Sequence, residues 1–415
     1  MKKTTAVALS GGVDSLMAAF LLKAQGHPVI GIHFITGYEN DPFCQNRSKS
    51  YANHKIHHLG RQLGIAVTLL DCRIEFEQQV VDYFTDTYLA GQTPNPCMVC
   101  NPAIKFGAVL SYVRQLGADY LATGHYARIA RDSAGNFHLR KGVDAQKDQS
   151  YFLARLTQEQ LARARFPLGG MTKREVKRQA RAHGLQPVVE RESQDVCFIK
   201  RDSYSDFLTR QRGLASEPGP IEDVEGKILG RHNGLHLFTI GQRRGINCPA
   251  AEPYYVIRID RKNNRLVVGL KKDLLSTACR VVDINWINAA PAAAQKVLTR
   301  VRYRHKEVPS VLLPVDPRTA IVRFDTAQEA VTPGQGAVFY REDEILGGGW
   351  IDGPDKNAPS ADNTETEDQN SAGSGTRGNR LAADFERYCR PMTDHRNRPS
   401  EGTNSQPVTR KDAEI

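Results

Sequence analysis

The sequence predicts an α/β domain on a parallel sheet, then a small central segment, then a β-barrel or sandwich, and last a polar tail. Three observations lead there. Short apolar runs alternate with helical patterns over the first 125 residues or so, Gly and Pro become frequent near residue 203, and evenly spaced strand patterns run from about residue 253. The implied segments are 1–202, 203–270, 271–352 and 353–415.

In the first segment the strand candidates are 5–9, 28–34, 65–70 and 119–123, and the helix candidates 16–25, 46–63, 75–89 and 103–116. Gly26, Gly64 and Gly117 stand where helix C-caps belong. The alternation implies βαβ units, whose ligands bind outside the carboxyl ends of the strands near a topological switch point. Residues 128–130 and 137–141, joined through Ala134, Gly135 and Asn136, read as a hairpin, and helical patterns follow at 157–165 and 172–182. Strand patterns at 254–259, 265–269, 297–303, 320–324 and 337–340 build the β domain. Beyond Ile351 the composition turns to Ser, Asn, Thr, Asp, Glu, Gly and Arg, which predicts disorder; within it Leu381, Phe385 and Tyr388 share helical spacing over 381–388.

With 415 residues, 40% of them hydrophobic, two or three cored domains are expected. No apolar run reaches about 18 residues, and the first apolar run is too short for a signal-peptide core, so a membrane span is excluded and a cytoplasmic bacterial-type protein expected. Eight cysteines then read as thiols for chemistry or metal binding rather than a disulfide scaffold. The formal charge of +10 points to polyanionic partners.

The most informative string is Ser10-Gly11-Gly12-Val13-Asp14-Ser15, directly after the first apolar run and its last residues Ala8 and Leu9. Adjacent glycines let backbone N–H groups approach a ligand, two hydroxyls add donors, and a following helix presents its positive end to an anion. No Gly-Lys-Ser/Thr follows, so this is not a Walker loop. It resembles the pyrophosphate loop (PP-loop) of enzymes that adenylate a substrate with ATP.

A second signal is the run from Thr93 to Asn101, with Asn95, Pro96, Cys97 and Cys100. Its prolines stiffen the loop before a Cys-x-x-Cys pair, which serves as a redox pair, half a metal site, or a nucleophile with its neighbour. Asn101-Pro102 opens a helix, whose N-terminus lowers a thiol pKa. Cys197, beside Val196 and Phe198, would read alone as a small core residue. Gly124 and His125 follow a strand and so face the ligand edge. Lys147, Asp148 and Gln149, with Tyr151 and Phe152, suit reading and stacking on a base. Basic patches at 239–245 and 302–306 fit RNA backbone contact.

Together these stretches resemble the bacterial tRNA-specific 2-thiouridylases (the MnmA family). They are SGGVDS (10–15), LAGQTPNPCMVCNPAIKFG (89–107), GADYLATGHYARI (117–129), KDQSYFLARLTQEQL (147–161), SQDVCFI (193–199), LFTIGQRRGI (237–246), VRYR (301–304), VRFD (322–325), TPGQGAVFY (332–340) and LGGGWI (346–351). They run in family order over about residues 4–352, and the tail lies outside the pattern.

The resemblance implies an adenine nucleotide alpha hydrolase-like (PP-loop) domain, a small central domain and a C-terminal β-barrel. It implies ATP-dependent replacement of O2 by sulfur at the wobble uridine of tRNA, with Mg²⁺ near Asp14 and a sulfur-donor protein, a cysteine desulfurase or relay protein, as partner. Ala8 to Ser15 (Ala8, Leu9, Ser10, Gly11, Gly12, Val13, Asp14, Ser15), Phe34 and Gly124 would form the ATP site. Cys197 would carry the persulfide and Cys100 would be the nucleophile that helps release sulfur. Asn95, Pro96 and Cys97 would face the target base. His125, Lys147, Asp148, Gln149, Arg302, Tyr303 and Gln335 would contact tRNA. A disulfide bond is a further implied feature.

Two departures stand out. Many members carry Asp where this chain has Cys97, so Cys97, Cys100 and Cys197 offer an alternative, three thiolates holding a [4Fe-4S] cluster. Residues 33–38 also depart from the family's usual Met-Lys-x-Trp-like segment, at the adenine contact Phe34. Another PP-loop ligase would share the ATP loop but has no use for paired thiols. A non-catalytic RNA-binding module would explain the charge but not the loop. ATP–pyrophosphate exchange and tRNA thiolation separate the three.

Overall fold

The protein is described here from a computed structural model that covers residues 2–39, 49–188, 196–199 and 203–355. The expected helix start at 46–48, residues 193–195 of the third cysteine motif, and residues 356–415 of the tail, with the 381–388 pattern, lie outside the described residues.

Five parallel strands form the first sheet, in the order β3-β2-β1-β4-β7. They are β1 (Thr5–Ala8), β2 (Val29–Ile35), β3 (Val67–Asp71), β4 (Tyr120–Ala122) and β7 (Ala164–Arg165). Val7, Leu9, Leu16, Met17, Leu22, Leu59 and Leu63 pack together as its core, from the strands and from the helices Val13–Ala24 and Lys49–Leu63. The chain leaves β1 toward β2 on one side and returns to β4 on the other. That reversal is a switch point, and the crevice beyond it is walled by residues 10–15 after β1 and 123–125 after β4.

The strand β7 corrects one expectation. A single helix was predicted over 157–165, but the helix is Gln158–Arg163, and Ala164 turns extended to pair with Leu121 of β4. Edge pairing to a buried sheet outweighs local helix propensity.

The hairpin is β5 (Ala127–Arg131) and β6 (Phe137–Lys141). It does not stay with the parallel sheet. β6 pairs with the last strand of the barrel through Glu344 to Arg140 and Ile345 to Leu139. The central segment holds β8 (Gly219–Glu222), β9 (Ile228–His232), β10 (Tyr255–Asp260) and β11 (Arg265–Gly269) around Ile221, Phe238, Val256 and Leu266.

The C-terminal domain is a closed barrel: β12 (Leu275–Trp286), β13 (Gln295–Arg300), β14 (Val308–Asp316), β15 (Thr319–Glu329), β16 (Gly336–Arg341) and β17 (Glu344–Pro354). The ladder runs β12-β15-β14-β13-β16-β17, and β17 closes onto β12. Closure removes the exposed edges that an open sheet would present.

The barrel seats directly on the N-terminal domain. A Cβ placed on Gly336 would lie 2.2 Å from Met98 Sδ and 3.1 Å from the Tyr151 hydroxyl, and that hydroxyl donates to the Gly336 carbonyl at 2.9 Å. Only glycine permits this approach. Gly336→Ala should therefore destabilise the protein by about 1–3 kcal/mol through overpacking, whereas Gly170→Ala, with nothing within 4 Å, should be near neutral. Urea unfolding midpoints check the pair, and equal midpoints would remove the steric argument.

Candidate functional site

The loop after β1 is held by its own hydroxyls. Gly12 N–H donates to Ser10 Oγ at 3.3 Å, Ser10 Oγ donates to Ser15 Oγ at 3.3 Å, and Ser15 Oγ donates to the Gly12 carbonyl at 2.9 Å. The helix Val13–Ala24 begins without a side-chain cap, and an uncapped helix N-terminus favours an anion. Phe34 sits near the carboxyl end of β2, and Ala8 ends β1.

Asp14 is the best-held residue of the loop. Lys173 Nζ donates to both of its oxygens, at 2.7 and 2.6 Å, and the Tyr126 hydroxyl donates to Oδ1 at 2.8 Å. Lys173 opens the helix Lys173–Ala182, whose N-terminus is set by a capping box between Thr172 and Glu175. A lysine in a first turn opposes the helix dipole. Here it is buried, and Asp14 supplies the compensating charge. Gly124 lets the two strands' loops meet, since a Cβ there would lie 2.9 Å from both the carbonyl carbon and Cβ of Asp14.

The thiol loop is built from both domains. Asn95 caps the helix Pro96–Cys100, accepting from Met98 N at 3.4 Å, and the chain continues in π form over Asn101–Val109. Thr93 N donates to the Pro333 carbonyl at 2.8 Å, and Gln335 Nε2 donates to the carbonyls of Thr93 and Pro94 at 3.2 and 3.0 Å. Gln335, predicted at the tRNA, thus holds the loop that carries the thiols. Asn101 Nδ2 donates to the carbonyls of Cys97 and Phe152, both at 3.0 Å, while its buried Oδ1 has no partner.

Cys97 and Cys100 are half-buried and Cys197 is exposed; all three are free thiols. Burial, and to a lesser degree Cys197, pushes Cys97 up to about 11, against the pull of Lys105. Burial pushes Cys100 up to about 12, again opposed by Lys105. Cys197 is anchored by its neighbour Phe198, whose ring packs against Tyr38, Phe76, Phe84 and Phe207 at 5.8, 5.7, 5.1 and 5.4 Å. Among the described residues no three His, Cys, Asp or Glu side chains are grouped to hold a metal ion.

His125 links the two halves. Its Nδ1 meets Thr123 Oγ1 at 2.7 Å and its Nε2 meets Lys105 Nζ at 3.3 Å. Burial, then the Lys105 charge, lowers its pKa well below the usual imidazole range, so the ring is neutral and accepts from the ammonium. Asp148 is buried and accepts from Gly142 N and Ser150 N, both at 3.1 Å, and from Ser150 Oγ at 3.0 Å. Gln149 Oε1 accepts from Tyr126 N at 3.1 Å. Tyr303 packs against Phe152 with ring centroids 4.3 Å apart and the rings tilted by 36°, and Arg302 reaches the Thr332 hydroxyl at 3.4 Å. Lys147 is half-buried beside them.

Sequence reasoning missed Lys173, Tyr126, Lys105 and Phe198. The one local signal was Lys173, a cation where the helix dipole favours an acid. The other three act through partners distant in the chain.

The chain matches the families described as tRNA methyl transferase HUP domain over residues 3–201, tRNA methyl transferase PRC-barrel domain over 205–270 and aminomethyltransferase beta-barrel domain over 276–351. It is 51% identical over 346 residues to the tRNA-specific 2-thiouridylase MnmA of Desulfosudis oleivorans, covering 83% of this chain and 94% of that protein. It is 43% identical over 358 residues to the MnmA of Geobacter metallireducens, covering 85% and 97%. These matches run over nearly the whole length of both relatives, and the chain belongs to the tRNA-specific 2-thiouridylase MnmA family.

Proposed function

We propose that this chain is an ATP-dependent tRNA-uridine 2-sulfurtransferase acting at the wobble position. The observation that carries the reading is one connected run of contacts. It leads from Asp14 in the phosphate loop, through Gly124 and Tyr126, to His125 and Lys105 beside the thiols. In this reading residues 1–202 activate the base and deliver sulfur, 203–270 connect, and 271–352 grip tRNA.

A uracil carbonyl oxygen is a poor leaving group. Attack of O2 on the α-phosphate of ATP forms an O2-adenylate and releases pyrophosphate. The Ser10–Ser15 loop and its helix N-terminus hold the phosphates, with Phe34 and Gly124 lining the ATP site. Asp14 is the carboxylate that would hold Mg²⁺, a hard cation bound through one or two carboxylates and substrate phosphates, which supplies charge neutralisation. Lys173 already meets both oxygens of Asp14 and stands ready to share it.

Sulfur follows in two displacements. The terminal sulfur of a Cys197 persulfide attacks C2, and AMP leaves with its bonding pair. The Cys100 thiolate then attacks Cys197 Sγ, the uridine departs as the thiocarbonyl, and a Cys100–Cys197 disulfide remains for a cellular thiol to reduce. A cysteine desulfurase or relay protein recharges Cys197. Asn95, Pro96 and Cys97 would flank the base; Lys147, Gln149, Arg302 and Tyr303 would contact the tRNA, with His125, Asp148 and Gln335 supporting them from within. The three thiols are not grouped for a metal, so no step is routed through an iron–sulfur cluster.

Asp14→Ala should lower AMP formation at least about 100-fold while tRNA binding survives; normal AMP release would sink the loop assignment. Cys100→Ser and Cys197→Ser should each abolish 2-thiouridine in a mass-spectrometric nucleoside assay yet leave ATP–pyrophosphate exchange measurable. Cys97→Asp should retain thiolation, and strict dependence of the parent on bound iron would replace the persulfide relay. Lys105→Met should raise the pKa of Cys97 and Cys100 further, because the Lys105 charge favours both thiolates. Their iodoacetamide labelling at pH 8 should therefore slow, and faster labelling would contradict the assigned field.

A further inference from the structure

A groove on the first domain carries four cations, Arg174, Lys177, Arg178 and Arg181, that the chemistry above does not use. It is walled by Lys147, Lys173, Arg174, Lys177, Arg178 and Arg181, and its cavity volume is about 640 Å³. We propose that this groove seats the phosphate backbone of the RNA substrate and that the helix Lys173–Ala182 is an RNA-contact element; the inference rests on the tRNA reading of the preceding section.

The helix has a sharply divided surface. Val176 and Ala180 pack into the core of the parallel-sheet domain, while Arg174, Lys177, Arg178 and Arg181 are exposed. These four stand at i, i+3, i+4 and i+7, so like charges are neighbours along one face. Such spacing weakens a helix on its own. Its only acid, Glu175, is engaged in the capping box with Thr172. Asp144, the carboxylate in the groove wall, accepts from Lys173 N at 2.8 Å and Gln146 N at 3.0 Å. The groove wall thus carries six cations against the one carboxylate of Asp144, a charge excess that suits a polyanion.

Geometry favours a chain of phosphates over a single one. From Arg174 to Arg181 the helix advances roughly 10 Å, against about 3.4 Å of axis per phosphate along one strand of a duplex. Lys147 of the groove wall also acts electrostatically on Tyr303 of the barrel, as does Arg304. At the floor, Lys173 holds Asp14 of the activation loop. RNA lying in the groove would therefore run from the 302–304 patch past the place where its base is activated.

The test is tRNA binding across salt concentrations by fluorescence anisotropy, with ATP binding measured alongside, on the full chain. Arg178→Ala alone should flatten the slope of log K against log salt by about 0.7–0.9, one phosphate contact. The combined Arg174→Ala, Lys177→Ala, Arg178→Ala and Arg181→Ala protein should bind tRNA at least about tenfold more weakly at 0.1 M salt and keep its ATP affinity. If the combined variant unfolds, the Arg178→Ala slope decides. Unchanged tRNA affinity and slope in both would overturn the groove, and loss of ATP affinity with tRNA binding intact would assign it to the nucleotide instead. A parent protein that binds no tRNA would sink the tRNA reading itself, a failure seen without any variant.

Discussion

The thiol loop cannot hold its own shape, and the barrel holds it. Two prolines at 94 and 96 remove backbone donors. Asn95 N finds the Tyr83 hydroxyl nearby, but Thr93 N and the carbonyls of Thr93 and Pro94 find partners some 240 residues away, at Pro333 and Gln335. A buried backbone group left without a partner costs about 1–3 kcal/mol, so the seated barrel stabilises this loop geometry. The contact of Gly336 with Met98 sets how closely it sits, and Tyr151 pins it from the other side. The cysteines of the first domain are consequently positioned by the third.

Two lysines divide the electrostatics of the site between them. Lys173 answers the carboxylate of Asp14 at the phosphate loop, and Lys105 answers the thiols and the neutral His125. Each is fixed by a different helix, and the turn at Gly124 brings their neighbourhoods together. Under the proposed mechanism, activation and sulfur delivery could therefore be damaged separately.

Legibility followed the range of the interactions. The parallel sheet was readable because each βα unit carries its own signals: an apolar run, a helical period and a glycine stop. The Ser10–Ser15 loop was readable for the same reason. Several barrel strands were not. β14 contains Pro309 and Pro314, and β17 runs through Gly347, Gly348 and Gly349, residues that mark breaks in a local reading. The hairpin was visible as a hairpin, but its pairing with β17 depends on a strand 200 residues later. Within the site, Lys105 and Phe198 gave no local sign, because their meaning lies in what they touch.

Cys97 shows how burial and chemistry constrain each other. A carboxylate and a thiol differ greatly in ordinary pKa, yet the family resemblance implies that either can stand at position 97. Burial resolves part of the difference. It disfavours charge on either group, and here it holds Cys97 near 11 and Cys100 near 12, so both rest as neutral thiols at physiological pH. A neutral thiol is a weak nucleophile, so in the proposed mechanism an adenylated base would be spared premature attack by Cys97 and Cys100. In the proposed mechanism the exposed Cys197 is the thiol a donor protein reaches, while Lys105 partly offsets the burial of Cys100. Under the proposed mechanism the order of events is thus written into exposure: sulfur enters at the accessible thiol, and the buried one acts last.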